Sequence, residues 1–455
     1  MSLTSDFLKG SIGSGFDADA MAAALEALDR QVFDPLTKGF PPAHAPLALG
    51  DIANHNWNLL AGDLTAPVAV LRQSALEHNA RWMRHLLDKF GLQLAPHAKT
   101  TMTPHLWAQQ AAHGCWGLTV ATVQQAEVAA AFGCRNVLIA NQVTGRAQVR
   151  GIVELSHAED ALEIYVLVDS LPGLKALSAD VAHAKTERPI NVLLEFGFQG
   201  GRTGCRTLEQ VSQLLDELPS HQGRLRLAGM AGYEGQIAQP SGAEDGPAVE
   251  AYFDRFAEAV HLADRRNAFL TDEVVLTAGG SSYYDIVGRR LKQIALQHKP
   301  TVKILRSGCY VTHDCGTYVD HLEQMKQRDP AVAKDLGLLE PALFVCCLVQ
   351  SVPEPGLALL TMGKRDVGFD IHLPQPVWRY RAHATPQPEP TPKDWKITKL
   401  NDQHAYLSVP AKANIAVGDL VCCGISHPCT TFDRWRLIHV VDDGWTSLGA
   451  VPTFF

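Results

Sequence analysis

Lys99 is the residue whose position first suggests covalent chemistry, because it follows a predicted apolar strand in the segment Ala95-Pro96-His97-Ala98-Lys99-Thr100. A partly desolvated lysine amine can form an imine with an aldehyde cofactor. Taken alone, a lysine at a strand end is more often a solvated rim residue. His97 lies two residues earlier on the same face of the strand, where a hydrogen-bonded wall residue is as good an interpretation as a direct role.

The segment Thr277–Ser282, with sequence TAGGSS, is the second feature. Its glycines let backbone N–H groups approach an anion closely, and its serines add hydroxyl donors. The segment follows the seventh of eight predicted strands, and barrels often bind phosphate in the loops after strands seven and eight. A plain turn is the alternative. If this loop binds phosphate and Lys99 forms an imine, one cofactor carries both groups, and that cofactor is pyridoxal 5′-phosphate.

The third feature is Ser426-His427-Pro428-Cys429. In an extended segment His427 and Cys429 would point to the same side, and an imidazole with a thiolate suits Zn²⁺. A structural zinc would need four protein ligands, and no second pair with suitable spacing occurs nearby. Two protein ligands would leave room for a substrate. From the residues alone, a buried cysteine beside a capping histidine is the favoured interpretation.

Short apolar runs alternate with helical periodicity from Pro67 onward, which is the pattern of βα units. After a leading strand at Val68–Leu71 we expect a helix from Ser74 to Phe90, with Ser74 as N-cap and Gly91 as its stop. Eight further strands predict a (β/α)₈ TIM barrel, whose chemistry gathers at the C-terminal ends of the strands. The strands are expected at Leu92–His97, Gly117–Val120, Asn136–Ala140, Glu163–Val168, Asn191–Glu195, Leu227–Gly232, Val274–Ala278 and Val302–Leu305.

The sequence predicts three parts: an N-terminal extension over residues 1–65, the barrel over 66–320, and a β domain over 321–455 that carries His427 and Cys429. Helical periodicity fades after about residue 335, and β-type runs follow. Alternating prolines over His383–Pro392 interrupt them and predict an exposed loop, because proline cannot serve a central strand. The β runs are Leu343–Val352, Leu357–Met362, His404–Val409 and Asp419–Gly424.

The bulk composition is that of a globular enzyme: 455 residues, 46% hydrophobic, 19% charged, with a net charge of −8. No basic run supports nucleic-acid binding, and no apolar stretch predicts a membrane span. The ten cysteines form no evenly spaced framework, and the first thirty residues show no signal peptide. We therefore expect a cytoplasmic enzyme that acts on a small molecule.

Taken together, the motifs resemble the D-serine dehydratase and D-threonine aldolase family of alanine-racemase-like, fold-type III pyridoxal-phosphate enzymes. The resemblance runs from about Ala66 to the C-terminus and departs from the family in the N-terminal extension and the proline-rich insertion. The motifs that carry it are Ala66–Asn79, Pro96–Thr100, Glu195–Gly204, Gly229–Gly235, Ala278–Ser281, Arg306–Tyr310 and His427–Cys429.

The resemblance implies a role for each matching residue. Lys99 would bind the cofactor and act as the base, and His427 with Cys429 would hold a divalent metal, zinc first and manganese as the alternative. It also implies a homodimer. The remaining cofactor-binding residues would be Gly279, Gly280 and Ser281 at the phosphate, with Arg202, Tyr233 and Tyr310 in the pocket.

The implied reaction is metal-assisted dehydration and deamination of a β-hydroxy D-amino acid such as D-serine, which yields a 2-oxo acid and ammonia. Retro-aldol cleavage competes with it, but aldolases of this family typically carry Asp at the second ligand position, so Cys429 favours the dehydratase branch. Two further readings stay open at this point: an amino-acid racemase that needs no metal, and a non-catalytic pyridoxal-phosphate-binding protein. Proteins of the latter kind consist of the barrel alone, so the predicted β domain argues against it.

Overall fold

Eight parallel strands form one sheet in which each strand pairs with its neighbours in chain order. The first and second strands, at opposite ends of that order, are joined by a parallel bridge between His97 and Thr119. Backbone hydrogen bonds from Trp116 to Leu94 and from Thr119 to Pro96 complete the closure. The predicted barrel and all eight of its strands are confirmed. The computed structural model describes residues 3–158, 161–186, 188–237 and 245–455.

The barrel strands are short, almost wholly buried runs, as expected for parallel strands covered by helices. Their inward side chains form a packed layer that includes Leu138, Leu193, Val275 and Ile304, so the barrel is filled below its C-terminal face. The strands span Gln93–Leu94, Leu118–Val120, Asn136–Ile139, Glu163–Val168, Ile190–Phe196, Leu225–Gly232, Val274–Ala278 and Thr301–Leu305.

Helices surround this sheet and place an apolar stripe against it. The first ends at Gly91, whose positive φ of 66° gives the left-handed stop that the sequence predicts. Ser74 is not its N-cap: the helix begins at Gln73, and the Ser74 hydroxyl instead donates to Asp443. The helices are Gln73–Phe90, Pro104–Ala112, Val123–Ala131, Arg146–Ala158, Leu171–Ala184, Leu208–Glu217, Asp245–Arg265 and Tyr284–Gln293.

The C-terminal β domain is a mainly antiparallel arrangement built around Leu343–Glu354. The predicted leading strand forms as Val68–Arg72, but it joins this domain, pairing with Leu343–Glu354 and with Leu437–Val441. An apolar run does not specify which sheet it enters. The proline-rich stretch is largely exposed, as predicted, but it is not all loop, since it contains an exposed two-residue strand. The other strands are Leu357–Leu360, Gln375–Tyr380, Glu389–Pro390, Lys396–Leu400, Ala405–Ser408, Leu420–Gly424 and Ser447–Pro452.

The N-terminal segment packs on both units. A bridge joins Phe16 to Cys134 in the barrel, and another joins Asn58 to Thr446 in the β domain. Its elements are helices Leu3–Phe7 and Ala18–Asp29, a 3₁₀ turn at Leu49–His55, and the paired strands Val32–Phe33 and Leu47–Ala48.

Several short helices and turns complete the described part of the chain, and four of them contribute residues to the candidate site. Within the described ranges, no helix is long and apolar enough to cross a membrane. These helices and turns are Ala98–Thr100, Leu218–His221, Cys309–Val311, Thr317–Arg328, Pro330–Leu336 and Pro428–Phe432.

Candidate active site

A cavity opens at the C-terminal ends of the barrel strands, where the β domain meets them, and its empty volume is about 800 Å³ including the mouth. The cavity is lined by barrel and β-domain residues together. Of the nine residues singled out from sequence, Gly280 and Tyr310 are outside this lining. The seven that line it are Lys99, Arg202, Tyr233, Gly279, Ser281, His427 and Cys429.

Lys99 lies in a 3₁₀ turn, Ala98–Thr100, directly after the first barrel strand. Its side chain is half-buried at the cavity wall, between buried Ala98 and Thr100. The turn packs closely on the loop after strand eight, because a Cβ on Gly308 would come within 2.5 Å of the His97 carbonyl oxygen and 2.7 Å of Thr100 Oγ1. Gly308 therefore allows the Lys99 turn and the strand-eight loop to share one wall.

In the glycine loop after strand seven, the backbone N–H groups predicted to bind a phosphate are engaged by a carboxyl group of the chain itself, and phosphate binding there stays a prediction. The N–H groups of Gly279 and Gly280 both donate to the buried Glu234. Burial raises the pKa of Glu234, against the hydrogen bond from Gly280. Gly280 has a φ of 90°, a conformation that glycine adopts without strain. A phosphate at this loop would bind through Ser281 or would displace Glu234.

Tyr233 and Arg202 lie side by side at the mouth. The guanidinium of Arg202 is 5.4 Å from the centroid of the Tyr233 ring, and this ring also packs on Gly279, whose added Cβ would be 2.8 Å from it. Burial raises the pKa of the Tyr233 hydroxyl. Both residues are thus placed between the glycine loop and solvent.

Tyr310 does not reach the cavity. Its ring is buried, and its hydroxyl accepts a hydrogen bond of 3.3 Å from Gln110. Tyr310 is the middle residue of the Cys309–Val311 turn, and in that turn its neighbour Cys309 is the residue that lines the cavity. A direct role for Tyr310 in cofactor binding remains a prediction that this placement does not favour.

His427 and Cys429 come together by a different route from the one the sequence suggested. The segment is not extended: His427 is the last residue before a short helix, Pro428–Phe432, in which proline takes the first turn. Proline favours a helix start because its missing N–H would have no partner there. Both side chains still line the cavity, and Cys429 Sγ lies 3.5 Å from Thr100 Oγ1. The helix start therefore brings the pair next to the Lys99 turn.

Asp370 fixes the orientation of the His427 ring. Its Oδ2 lies 2.6 Å from His427 Nδ1, and its Oδ1 accepts a hydrogen bond of 2.8 Å from Thr430. With Nδ1 held in this way, Nε2 is the nitrogen left for a ligand, an arrangement usual for metal-binding histidines. Asp370 is distant in sequence from the His-x-Cys pair, and sequence reasoning missed it.

Charge separation within the pair follows from these contacts. Burial opposes a charge on His427, but Cys429 and Asp370 outweigh burial and raise the pKa of the imidazole to about 9. The hydrogen bond with Cys309 lowers the pKa of Cys429, assisted by His427 and against the effect of burial. Cys429 is therefore the thiolate of the cluster, and a metal would replace the proton of His427.

Sequence reasoning did not single out several other cavity residues. Arg306 is buried and donates to Thr277 Oγ1 at 3.0 Å and to the Gly232 carbonyl at 2.7 Å. The sequence signal for a role of Arg306 was a charged residue at the end of an apolar strand, at the start of the motif Arg306–Tyr310. The others with a polar or sulfur-containing side chain are Thr100, Glu195, Cys309 and Tyr318.

The residues fit pyridoxal phosphate in two respects. Three cations, Lys99, Arg202 and Arg306, line the one cavity, which suits a cofactor with a phosphate group. His97 Nδ1 is buried there without a hydrogen-bond partner among the described residues, and burial with the charge of Lys99 keeps the pKa of His97 well below its usual value. An uncharged imidazole on the wall is consistent with an aromatic ligand beside it.

The residues also fit a divalent metal, through a two-ligand site. His427 and Cys429 are a borderline-soft pair of the kind that zinc prefers. In the part of the chain that the structure describes, no group of three or more His, Cys, Asp and Glu side chains is arranged to hold a metal ion. Any metal at the pair would have to complete its coordination with further ligands.

Two family models match the chain and cover both units. The alanine racemase N-terminal domain matches residues 71–284, and the serine dehydratase domain matches residues 342–441. This combination of barrel and β domain defines the class: the chain is an alanine-racemase-like, fold-type III pyridoxal-phosphate enzyme. Within that class it belongs to the D-serine dehydratase and D-threonine aldolase family, as its motifs indicated.

Curated relatives include both lyase types of this family. The chain is 24% identical over 385 residues to D-threonine aldolase of Arthrobacter sp, covering 83% of this chain and 89% of the relative. It is 26% identical over 349 residues to 3-hydroxy-D-aspartate aldolase of Paracoccus denitrificans, covering 76% and 80%. It is 26% identical over 251 residues to D-threo-3-hydroxyaspartate dehydratase of Delftia sp., covering 55% and 62%.

Solved structures agree on the fold. D-threonine aldolase from Filomicrobium marinum superposes with a TM-score of 0.69 at 23% identity, covering 86% of this chain and 95% of that one. A cysteine-to-alanine mutant of D-threo-3-hydroxyaspartate dehydratase in the metal-free form gives 0.64 at 21% identity, covering 88% and 99%.

Proposed function

We propose that this chain is a pyridoxal-phosphate- and metal-dependent lyase that dehydrates and deaminates a β-hydroxy D-amino acid, with D-serine as the model substrate. The observation that carries the proposal is the meeting of Lys99 with the pair His427 and Cys429 in one cavity, across the boundary of two units. The relatives support the substrate class, since those named above act on D-threonine or 3-hydroxy-D-aspartate.

Each group would supply its own chemistry. Pyridoxal phosphate, when bound, supplies an electron sink for charge that develops at Cα. A divalent metal, when bound by His427 and Cys429, supplies a Lewis acid for an oxygen on Cβ. The metal-free form known for one mutant dehydratase of this fold is in keeping with a metal at this position.

The chain's own residues divide the proton and oxygen chemistry. Lys99 Nζ accepts the proton from Cα, and the β-hydroxyl departs on the side where His427 and Cys429 lie, so that one water leaves in total. Asp370 keeps Nε2 of His427 turned to the cavity. The net reaction of D-serine is pyruvate plus ammonia, because the water lost in elimination is regained on hydrolysis of the enamine.

Retro-aldol cleavage is the second candidate, and the names of two of the three relatives favour it. In that reaction the β-hydroxyl loses its proton and the Cα–Cβ bond breaks, so D-threonine gives glycine and acetaldehyde. Cys429 distinguishes the candidates, because a thiolate donates more charge to the metal than a carboxylate and makes the bound hydroxyl less acidic.

Incubation with D-serine, D-threonine and threo-3-hydroxy-D-aspartate, with and without chelator, tests the proposal. We expect 2-oxo acid and ammonia as the main products, lost on chelation and restored by zinc. Glycine as the main product would establish the aldolase instead. Chelator-resistant racemisation would establish a racemase, and a yellow protein that turns over no D-amino acid with zinc present would support a non-catalytic binding protein.

A variant sharpens the choice between the two lyase reactions. Cys429→Asp keeps a metal ligand but exchanges sulfur for oxygen, so we expect the ratio of glycine to 2-oxo acid from D-threonine to rise several-fold, since ligand type tunes the acidity at the metal. The matched control is Cys429→Ser, which replaces sulfur by oxygen without adding a carboxylate. An unchanged product ratio in Cys429→Asp would mean that this ligand does not direct the reaction.

A further inference from the structure

Cys309 is a cavity residue to which the proposed chemistry gives no role. It opens the Cys309–Val311 turn that follows the eighth barrel strand, whereas Cys429 belongs to the β domain. Their Sγ atoms are 3.8 Å apart although 120 residues separate them along the chain. Both residues line the cavity, and Thr100 Oγ1 lies 4.0 Å from Cys309 Sγ.

The separation of the two sulfurs matches a shared zinc ion. Thiolates bind zinc at about 2.3 Å, so two of them at a tetrahedral angle lie about 3.8 Å apart. Catalytic zinc sites usually have three protein ligands and one open position for water or substrate. The pair His427 and Cys429 supplies two ligands, so Cys309 would bring the site to the usual number.

Two simpler roles for Cys309 predict different behaviour. As a thiol that only donates a hydrogen bond to Cys429, it would affect zinc affinity only as an outer partner of a metal ligand does. As a partner in a disulfide, it would have to approach Cys429 to about 2.05 Å and would remove a metal ligand. The hydrogen-bond role accounts for the contact between the two sulfurs but leaves the metal with two protein ligands, one fewer than catalytic zinc sites usually have.

We propose that Cys309 is the third protein ligand of the metal held by His427 and Cys429. The proposal rests on the metal-dependent function proposed above. In the described structure, Cys309, His427 and Cys429 are not yet positioned to hold one metal ion together. Binding by all three therefore requires a rotation of the His427 or Cys309 side chain. The resulting Cys₂His set spans the barrel and the β domain and leaves one position for the β-hydroxyl.

Zinc binding by purified full-length variants tests the proposal without reference to turnover. Zinc content and affinity are measured by elemental analysis and chelator competition on the wild type, Cys309→Ala, Cys309→Ser and His427→Ala. The control is Cys134→Ser, a buried cysteine outside the cavity whose bond to the Asn136 carbonyl a hydroxyl can replace. Retained cofactor absorbance and circular dichroism identify the variants that are folded.

We expect Cys309→Ala to weaken zinc binding by more than the roughly 10–100-fold that loss of an outer partner of a metal ligand costs. We expect Cys309→Ser to weaken it as well, because a neutral hydroxyl keeps a hydrogen-bond donor but is a poor zinc ligand. Wild-type zinc affinity in Cys309→Ser would leave Cys309 as a hydrogen-bond donor to Cys429 only and would overturn the proposal. In the cobalt-substituted protein, the visible d–d bands should weaken and shift when Cys309 is replaced, and Cys134→Ser should leave both readouts unchanged. These bands lie at longer wavelength than the cofactor's absorption.

The outcomes separate the two proposals. Wild-type affinity in Cys309→Ala, with binding lost in His427→Ala, would overturn the role of Cys309 and leave the metal site in place. No zinc binding by the wild type, even after full thiol reduction, would overturn the metal-dependent function itself. A Cys309–Cys429 disulfide in protein purified without reductant, with normal zinc affinity of Cys309→Ala after reduction, would also overturn the third-ligand role.

Discussion

The two ends of the cavity are built in different ways. The barrel end holds Lys99 and Ser281 on turns that directly follow parallel strands, so their position is given by the closure of the sheet. The β-domain end holds His427 and Cys429 at the start of a short helix, and Asp370 orients His427 through a contact of 2.6 Å. The barrel end brings Lys99, Arg202 and Arg306 to the cavity, whereas the β-domain end brings an imidazole, a thiol and, behind the imidazole, a carboxylate.

Because of this difference, the residue proposed to bind the cofactor and the pair proposed to bind the metal can be replaced independently. Replacement of Lys99 should abolish the cofactor's linkage and leave metal binding, and replacement of His427 should do the reverse. The two ends meet at Thr100, whose hydroxyl lies 3.5 Å from Cys429 Sγ. Turnover should therefore be lost on replacement of either Lys99 or His427. The two variants should differ in which signal disappears, the imine absorbance or the bound zinc.

Lys99→Ala has the largest expected effect. Without the amine, the imine absorbance should vanish and turnover should fall by at least about 10³-fold, since both the nucleophile and the general base are lost. Zinc content should not change. Lys89→Ala, an exterior lysine paired with Asp335, is the control. An imine band that persists in Lys99→Ala would assign the cofactor to another lysine.

His427→Ala should affect turnover next most strongly. A Lewis acid is worth several kcal/mol, so we expect a loss of about 10²- to 10³-fold in kcat, together with loss of bound zinc. The imine absorbance of Lys99 should remain. Absorbance and zinc content measured on one preparation check this prediction, and a loss of the imine band in His427→Ala would show that the two ends are not separable.

The barrel end could be predicted from sequence because a few local rules determine it. Eight buried runs separated by helical periodicity specify a closed parallel sheet, and such a sheet places Lys99 and the glycine loop on one face whatever the detailed packing. Tyr310 shows the limit of this reasoning. Its position in a motif near the site did not reveal that its side chain turns toward Gln110 and not toward the cavity.

The β-domain end could be predicted only in part. The pair His427 and Cys429 was evident from its residue types, but the helix that begins at Pro428 was not expected. Asp370 and Cys309 could not be found, because their contacts with the pair are set by the packing of distant segments. Likewise, nothing local to Val68–Arg72 shows that this strand joins the C-terminal sheet.

Asp370→Asn should weaken metal binding without removing a ligand. Asn keeps the size of the side chain but is a weaker partner for His427 Nδ1, so we expect zinc affinity to fall about 10–100-fold. Asp370→Glu should restore part of it. The control is Asp433→Asn, a nearby carboxylate that pairs with Arg434. Wild-type zinc affinity in Asp370→Asn would mean that His427 is oriented by its other surroundings.

Glu234→Gln should have the smallest effect and tests the barrel end. The Glu234 carboxylate accepts the N–H groups of Gly279 and Gly280, the donors predicted for the cofactor's phosphate. Charged acceptors form hydrogen bonds roughly twice as strong as neutral ones, so a neutral amide should compete less.

We therefore expect Glu234→Gln to bind pyridoxal phosphate a few-fold more tightly than the wild type in fluorescence titrations, with Glu209→Gln on the barrel exterior as control. Free phosphate should compete more effectively with the cofactor in the same variant, because it would meet the same released amides. Weaker cofactor binding would instead show that Glu234 supports the site, with its carboxylate holding the loop so that Ser281 faces the phosphate. The glycine loop would then depend on the Glu234 carboxyl group for its orientation, much as His427 depends on Asp370.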